Sequence, residues 1–221
     1  SLNRGIGLSK GEYIARMDAD DISHPERIES QVNFLDLCPK VSLLGTACFR
    51  IDLSGNITGI FRSPTENSVI QRSLFKRNIF CHGSVMFRKR AFESVHGYNE
   101  NFEYAQDFDL WLRLASRFEV GNLSEVLYAW RDHTSSVSSI KDRIQIRSTL
   151  KAKLKSSQAK QYQPLYHLNI VRNFIAMITP GHMRNFIRKI LFRPAQGFFH
   201  FRRYRNDRKY LGRYLDNVWK I

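Results

Sequence analysis

The densest cluster of reactive side chains is Asp18-Ala19-Asp20-Asp21, which places three carboxylates within four residues. Carboxylates this close repel one another, and burial strengthens the repulsion. A divalent cation relieves it, and carboxylate oxygens suit Mg²⁺ or Mn²⁺ shared with a substrate diphosphate. The cluster therefore indicates a cation and diphosphate site, the alternative being a solvated acidic turn that caps the next helix.

A second pair of carboxylates, Asp107 and Asp109, lies at the predicted start of a helix. Carboxylates there often only stabilise the first helical turn. The functional interpretation makes Asp107 a general base, because a hydroxyl group is a poor nucleophile until its proton is accepted. His82 lies in a β-prone run beside Gly83 and could line a pocket, although isolated histidines such as His82 and His133 are more often structural.

The elements predicted around the first cluster favour a binding site. Tyr13–Met17 is a short β-prone run ending at Asp18, and ligands of open α/β sheets bind beyond the carboxyl ends of strands. Ser23 and Glu26 have the spacing of a capping box for a helix that runs to about Cys38.

The first 139 residues alternate between predicted strands and helices, which indicates an α/β fold with a partly parallel sheet. Residues 1–10 are predicted to be a helix end followed by a glycine-containing turn. The main strands are predicted over 41–51, 57–61, 79–87 and 118–130, and the main helices over 69–75, 88–95 and 107–117. From residue 140 the chain is polar, basic and helical in character, with helices predicted over 140–161, 165–178, 183–192 and 198–219.

Composition and charge support this division. Hydrophobic residues make up 43% of the 221 residues, enough for a packed core. Three scattered cysteines exclude a disulfide scaffold, make a structural zinc site improbable and fit a reducing, cytoplasmic setting. The sequence contains no apolar run long enough to span a bilayer. Residues 1–140 carry a net charge of −1 and residues 141–221 a net charge of +16, so the second part is expected to contact an anionic partner.

Several blocks resemble the family 2 glycosyltransferases in order and spacing. They are Asn3-Arg4-Gly5, the run from Gly11 to Asp21, His24-Pro25-Glu26-Arg27, His82-Gly83-Ser84, the run from Gln106 to Leu114, and Arg131-Asp132-His133. The resemblance covers about residues 1–139. It implies a GT-A fold, a Rossmann-related mixed sheet flanked by helices, followed here by a basic α-helical region over 140–221.

The resemblance also implies an inverting transfer of a sugar from a nucleotide-diphosphate donor to a hydroxyl group of a glycan or lipid-linked acceptor, in surface polysaccharide biosynthesis. Carried over by position, Asp20 would bind Mg²⁺ or Mn²⁺ with His133 nearby, and Asp107 would be the catalytic base. The substrate-binding residues would be Asn3, Gly5, Asp18, Asp21, His82 and Asp109.

Two departures from the family pattern stand out. Gln106 occupies a position where the family often has Glu, which removes a negative neighbour of Asp107. The strands that usually bind the nucleobase are expected before Asn3, so the chain resembles the second part of a glycosyltransferase, and an inactive fragment is one alternative.

Residues 182–213 interleave Arg and Lys with Phe, Tyr and Ile, a pattern typical of helices that lie in a membrane interface. We expect them to bind an anionic membrane surface, which would hold a cytoplasmic protein on the inner face of the cell membrane. Helices packed on the catalytic part are the other interpretation. Nucleic acid is not an expected partner, because no recognisable binding module is present.

Two further functions compete with glycosyl transfer. A nucleotidyltransferase would also use a cation and a nucleotide, but it usually carries a glycine-rich phosphate loop, which this sequence lacks. A non-enzymatic basic protein that binds membranes would tolerate the loss of Asp20.

Overall fold

The computed structural model describes residues 2–132 and 142–156, together with a few positions between 168 and 179. The helices are α1 (Leu2–Leu8), α2 (Arg27–Leu37), α3 (Asn67–Lys76), α4 (Lys89–Ser94), α5 (Gln106–Ala115) and α6 (Asp142–Lys155). The strands are β1 (Tyr13–Ala15), β2 (Ile22–Ser23), β3 (Val41–Ile51), β4 (Ile57–Phe61), β5 (Met86–Arg88) and β6 (Glu119–Arg131).

All six strands form one mixed sheet around β3. This strand runs parallel to β6 and antiparallel to β4 and β5, while β1 pairs with β5 and β2 pairs with β6. Ten of the eleven residues of β3 are buried, as expected for a central strand covered on both faces. The partly parallel α/β sheet predicted from the sequence is therefore confirmed.

Helices cover both faces of the sheet, and alternate residues of the strands point to each layer. Leu43 and Phe87 join the main core with Trp111 and other residues of α5. Leu44 and Met86, their chain neighbours, pack instead with Leu35 of α2. Because successive strand side chains face opposite ways, one sheet supports two separate apolar layers.

The strands β3 and β4 and the helix α5 lie close to their predicted positions, whereas the predicted cap of α2 is wrong. Ser23 belongs to β2 and pairs with Tyr128 of β6, so it is not the N-cap. The N-cap is Glu26, whose side chain makes no capping bond; its N–H donates to His24 Nδ1 at 3.2 Å. Ser23 is therefore part of the sheet, although the local sequence pattern predicted it as the N-cap of the helix.

Two other local predictions need correction. The strand predicted over 79–87 is limited to β5, because His82–Ser84 form a 3-10 turn closed by the Ser84 N–H and the Cys81 carbonyl at 3.0 Å. The turn predicted around Asn3 and Gly5 is instead helical, and α1 continues to Leu8.

The described part of residues 140–221 begins with α6, which lies within the predicted helix over 140–161. Ala152 of α6 is buried in the main core, so this helix packs against α5. The helices predicted over 183–192 and 198–219 lie outside the described residues. Within the described part, no helix combines the length and apolarity needed to cross a membrane.

Candidate functional site

The acidic loop, Asp18–Asp21, follows β1 at its carboxyl end, as predicted. A bond from the Asp21 N–H to the Asp18 carbonyl, 3.3 Å long, closes the loop as a turn. The three carboxylates differ sharply in environment: the Asp18 side chain is 41% exposed, Asp20 is exposed, and Asp21 is only 7% exposed. The loop therefore does not present three equivalent ligands.

Asp18 is paired with Arg16, whose two terminal nitrogens donate to both carboxylate oxygens. This bidentate contact neutralises one of the three negative charges within the protein itself. The two side chains are two residues apart on an extended segment and share a face, so the spacing alone could have suggested the pair.

Asp21 is held inside the protein by β6. It accepts one hydrogen bond from the Tyr128 hydroxyl at 2.7 Å and another from the Arg131 N–H at 2.8 Å. Burial raises the pKa of Asp21, the charges of Asp18 and Asp20 add to that effect, and the two hydrogen bonds oppose it. This carboxylate fixes the loop to the sheet.

The side chain of Arg131 ties the loop to the β3–β4 hairpin. Its Nε donates to the Asp20 carbonyl at 2.8 Å, and a terminal nitrogen donates to the carbonyls of Asp52 and Leu53 at 3.0 and 3.2 Å. In the sequence, Arg131 stands out only as part of the block Arg131-Asp132-His133. Its anchoring role was missed because all three partners are distant in sequence.

A buried aromatic group lies beside the loop. His82 Nε2 and the Tyr98 hydroxyl are 2.9 Å apart, and the His82 ring packs edge-on against both Tyr98 and Trp111. Burial lowers the pKa of His82 to about 4, so its ring is neutral near pH 7. Burial also raises the pKa of Tyr98, which keeps that hydroxyl protonated and able to donate to His82.

Asp107 is the second residue of α5, whose N-cap is Ala105 with a left-handed φ of 58°. Its Oδ2 accepts a hydrogen bond from Asn78 Nδ2 at 2.7 Å. The charges of Asp107, Asp18 and Arg16 all act on the pKa of His82. Trp111 of the same helix packs on the His82 ring, and Gly83 packs on Tyr128, so Asp107 and the acidic loop are both connected to the partly buried His82 turn.

Asp109 is used differently from Asp107. It is 4% exposed and forms a salt bridge with Arg113 one turn later, with Nε 2.8 Å and the other nitrogen 2.7 Å from Oδ2. Arg113 also donates to the Val95 carbonyl. The structure therefore places Asp109 in the packing between α5 and the residue after α4.

Three more of the predicted site residues are Asn3, Gly5 and His133. Asn3 clamps Tyr98 from both sides: Nδ2 donates to the Tyr98 carbonyl and Oδ1 accepts from the Tyr98 N–H, each at 2.9 Å. Gly5 is exposed on α1, and a Cβ placed on it would touch nothing within 4 Å. His133 lies outside the described residues.

The donor chemistry of the acidic loop fits a hard divalent cation through Asp20. The Asp20 side chain is exposed, so an ion from solution can reach its carboxylate. Mg²⁺ is usually held by one or two carboxylates with waters and substrate phosphates, so a single exposed carboxylate suffices. Within the described residues, His, Cys, Asp and Glu side chains form no group of three able to hold a metal ion by themselves.

Comparison with known proteins matches the resemblance seen in the sequence. The model of the family described as glycosyl transferase family 2 matches residues 1–95. The chain is 35% identical over 139 residues to the amylovoran biosynthesis glycosyltransferase AmsE of Erwinia amylovora, covering 62% of the chain and 52% of the relative. It is 28% identical over 200 residues to an Escherichia coli UDP-Gal:alpha-D-GlcNAc-diphosphoundecaprenol beta-1,3-galactosyltransferase, covering 87% of the chain and 70% of the relative.

The fold also matches a solved structure, that of S. aureus TarS residues 1–349 in complex with UDP. The TM-score is 0.54 at 14% identity, and the match covers 84% of the chain and 56% of the TarS structure. The predicted GT-A-like α/β fold class is confirmed on this basis. The chain spans about half the length of the first curated relatives it matches, from 46% to 54%.

Proposed function

We propose that the protein transfers a sugar from a nucleotide-diphosphate donor to a hydroxyl group of an acceptor, on the premise that residues 1–95 match the model of glycosyl transferase family 2. The observation that carries the proposal is the packing of the His82–Ser84 turn against Trp111, on the same helix as Asp107, and against Tyr128, which binds the acidic loop. The acidic loop offers carboxylate oxygens for a cation and diphosphate, and Asp107 offers a carboxylate that can accept a proton.

Donor binding is assigned to the acidic loop. Asp20 would hold Mg²⁺ or Mn²⁺ together with the donor diphosphate, with His133 as a further candidate ligand. A bound cation supplies Lewis-acid stabilisation of the negative charge that grows on the departing nucleoside diphosphate. Asp18 and Arg16 border this position, and Asp21 keeps the loop attached to β6.

Proton acceptance is assigned to Asp107. The acceptor oxygen attacks the anomeric carbon as the bond from that carbon to the diphosphate oxygen breaks, and the hydroxyl proton passes to the Asp107 carboxylate. Attack opposite the leaving group inverts the anomeric centre. Asn78 orients the base by donating to Oδ2, while neutral His82, held by the Tyr98 hydroxyl, offers a polar contact to the substrate without adding charge.

The acceptor is proposed to be a glycan or a lipid-linked glycan of a surface polysaccharide. AmsE takes part in amylovoran biosynthesis, and the name of the E. coli relative specifies a diphosphoundecaprenol acceptor. A lipid-linked acceptor fits the basic, aromatic segment 182–213, which we propose attaches a cytoplasmic protein to the inner face of the cell membrane. Residues 1–139 would be the catalytic part and residues 140–221 the extension.

The activity is tested with a panel of UDP- and GDP-sugars, MnCl₂ and glycan acceptors, using the gene product that carries this chain. Asp20→Asn should lower transfer by about 10³-fold, since it removes charge at the developing diphosphate. The matched control is Glu29→Gln, which changes an exposed carboxylate on α2 and should leave transfer unchanged. Transfer that survives Asp20→Asn would favour a non-enzymatic role, and nucleotide exchange without sugar transfer would favour a nucleotidyltransferase.

Membrane attachment is tested separately by co-sedimentation with vesicles. Binding to vesicles that contain anionic lipid, and its loss on neutral lipid alone, is the expected result, because each basic residue near an anionic leaflet contributes about 1 kcal/mol. Removal of residues 182–213 should abolish binding. Equal binding to both kinds of vesicle would contradict the electrostatic attachment.

A further inference from the structure

One tyrosine hydroxyl connects two parts of the site that are distant in sequence. Tyr128 lies on β6 with a fully buried side chain. Its hydroxyl donates to Asp21 Oδ2 at 2.7 Å and accepts a hydrogen bond from the Asp18 N–H at 3.2 Å. Both ends of the acidic loop are therefore held by the same oxygen atom.

The turn that carries His82 presses directly on this hydroxyl. A Cβ atom built on Gly83 would lie 2.2 Å from the Tyr128 oxygen and 2.6 Å from Cζ, much closer than real Cβ contacts allow. Only glycine permits this approach, since any other side chain would displace Tyr128 or the turn. The His82–Ser84 turn and the acidic loop thus share a contact surface at Tyr128.

Arg27 closes the same junction from the other side. It is 2% exposed, and one terminal nitrogen donates to the carbonyls of both Arg16 and Gly83, at 3.0 and 2.8 Å. Its guanidinium carbon lies 5.1 Å from the centre of the Tyr128 ring, within cation–π range. The two carbonyls belong to the segment before the acidic loop and to the His82 turn.

This arginine is costly for folding. Its Nε is buried without a hydrogen-bond partner among the described residues, and the described contacts include no salt bridge to Arg27. It also lies at the first residue of α2, where the helix dipole disfavours a cation. A well-packed apolar residue of similar volume would often leave the protein equally stable. Stability alone therefore does not explain why an arginine, with a donor directed at these two carbonyls, occupies this position.

We propose that Tyr128 and Arg27 are positioning residues that lock the acidic loop to the His82–Ser84 turn and so hold the cation-binding and proton-accepting sides of the site in fixed register. This inference rests on the proposed function. Fixed register matters because small displacements of catalytic groups reduce rates strongly.

The test compares Tyr128→Phe with Tyr13→Phe in the gene product that carries this chain. Both changes remove one hydroxyl that donates to a carboxylate and accepts from an N–H group. The Tyr13 partners are Asp36 and Arg88, on the far side of β1 from the acidic loop. Binding of MnCl₂ is followed by the paramagnetic resonance signal of free Mn²⁺, and binding of UDP or GDP with Mn²⁺ by calorimetry.

Tyr128→Phe should weaken Mn²⁺ and nucleotide binding by about 10-fold, because hydrogen bonds to charged groups are among the stronger ones. Tyr13→Phe should leave both affinities unchanged. Excess MnCl₂ should restore most of the turnover of Tyr128→Phe, which a merely destabilised protein would not show. Equal affinities in the two variants would overturn the inference.

Arg27→Lys provides an independent variant in case Tyr128→Phe does not fold. Lysine keeps the charge, but its nitrogen lies one bond closer to the backbone than the terminal nitrogen that reaches both carbonyls. A loss of about 5-fold in nucleotide affinity is therefore expected. Wild-type affinity would overturn the inference. Asp20→Asn distinguishes failure of the proposed function from failure of this inference. If Asp20→Asn leaves Mn²⁺ binding intact, both fail. If Asp20→Asn loses Mn²⁺ binding while Tyr128→Phe and Arg27→Lys keep it, only this inference fails.

Discussion

The acidic loop and the first turn of α5 each contain two or more aspartates, but the fold holds them by different means. The loop is fixed by contacts from distant elements, with Asp21 bonded to Tyr128 and Arg131 on β6. In α5 the pairing is largely local, with Asp109 joined to Arg113 one turn away. Each region uses one buried carboxylate for structure and leaves a more exposed one, Asp20 or Asp107, at the site.

The difference indicates how the two regions respond to change. The acidic loop depends on the sheet, so its geometry can be altered from β6 or from the His82 turn. The position of Asp107 depends on where α5 begins, at the left-handed Ala105. Substitutions can therefore separate donor binding from proton transfer, and structural aspartates from chemical ones.

The largest expected effect comes from Asp107→Asn. An asparagine keeps the shape and the contact with Asn78 but cannot accept the acceptor proton, so turnover should fall by about 10³-fold. Nucleotide affinity, measured by calorimetry with Mn²⁺, should stay within a factor of two. A parallel loss of nucleotide affinity and turnover would mean that donor binding and proton acceptance are not assigned to separate regions.

His82 is expected to make the stability of the protein depend on pH. Its folded-state pKa of about 4 is below the ordinary value of 6.5, so the unfolded chain binds more protons between these values. Stability should therefore fall by about 3 kcal/mol as the pH drops from 6.5 to 4. Part of the acid sensitivity should disappear in His82→Gln, measured by urea unfolding at several pH values.

The control for that measurement is His96→Asn. His96 is exposed and has a φ of 63°, which asparagine tolerates. This variant should keep the acid dependence of the unaltered protein. If His82→Gln behaves like the control, the histidine does not contribute to the acid sensitivity.

The smallest effect is expected from Asp109→Asn, which distinguishes the structural carboxylate of α5 from the chemical one. Loss of the charge leaves Arg113 without its ion pair and should cost about 2 kcal/mol of unfolding free energy. That corresponds to a fall of about 6 °C in melting temperature for a chain of this size. Turnover per folded molecule should be unchanged, and a large loss of turnover would move Asp109 into the site.

Local patterns predicted much of the fold. The strands predicted over 41–51 and 57–61 match β3 and β4 at their observed bounds, and the acidic loop follows β1 as expected. The pattern failed where a distant strand intervened, as at Ser23, which pairs with Tyr128.

The connections within the site were not predictable from local patterns. The contacts of Tyr128 with Asp21 and Gly83, and of Arg27 with Gly83, join segments whose spacing along the chain carries no signal. Asp107 and Asp109 have the same residue type and adjacent helical positions, so only packing distinguishes them. The family resemblance grouped both with the site, and the structure puts Asp109 in an ion pair.

The central claim is that the acidic loop is the donor side of a glycosyltransferase site and Asp107 the acceptor side. The most direct test is a crystal structure of the gene product with MnCl₂ and a nucleoside diphosphate. The Mn²⁺ ion would be located by its anomalous signal. The expected result is a Mn²⁺ ion about 2 Å from an Asp20 carboxylate oxygen, with the diphosphate between this ion and the His82 turn. A manganese and nucleotide site elsewhere, with the acidic loop uncontacted, would contradict it.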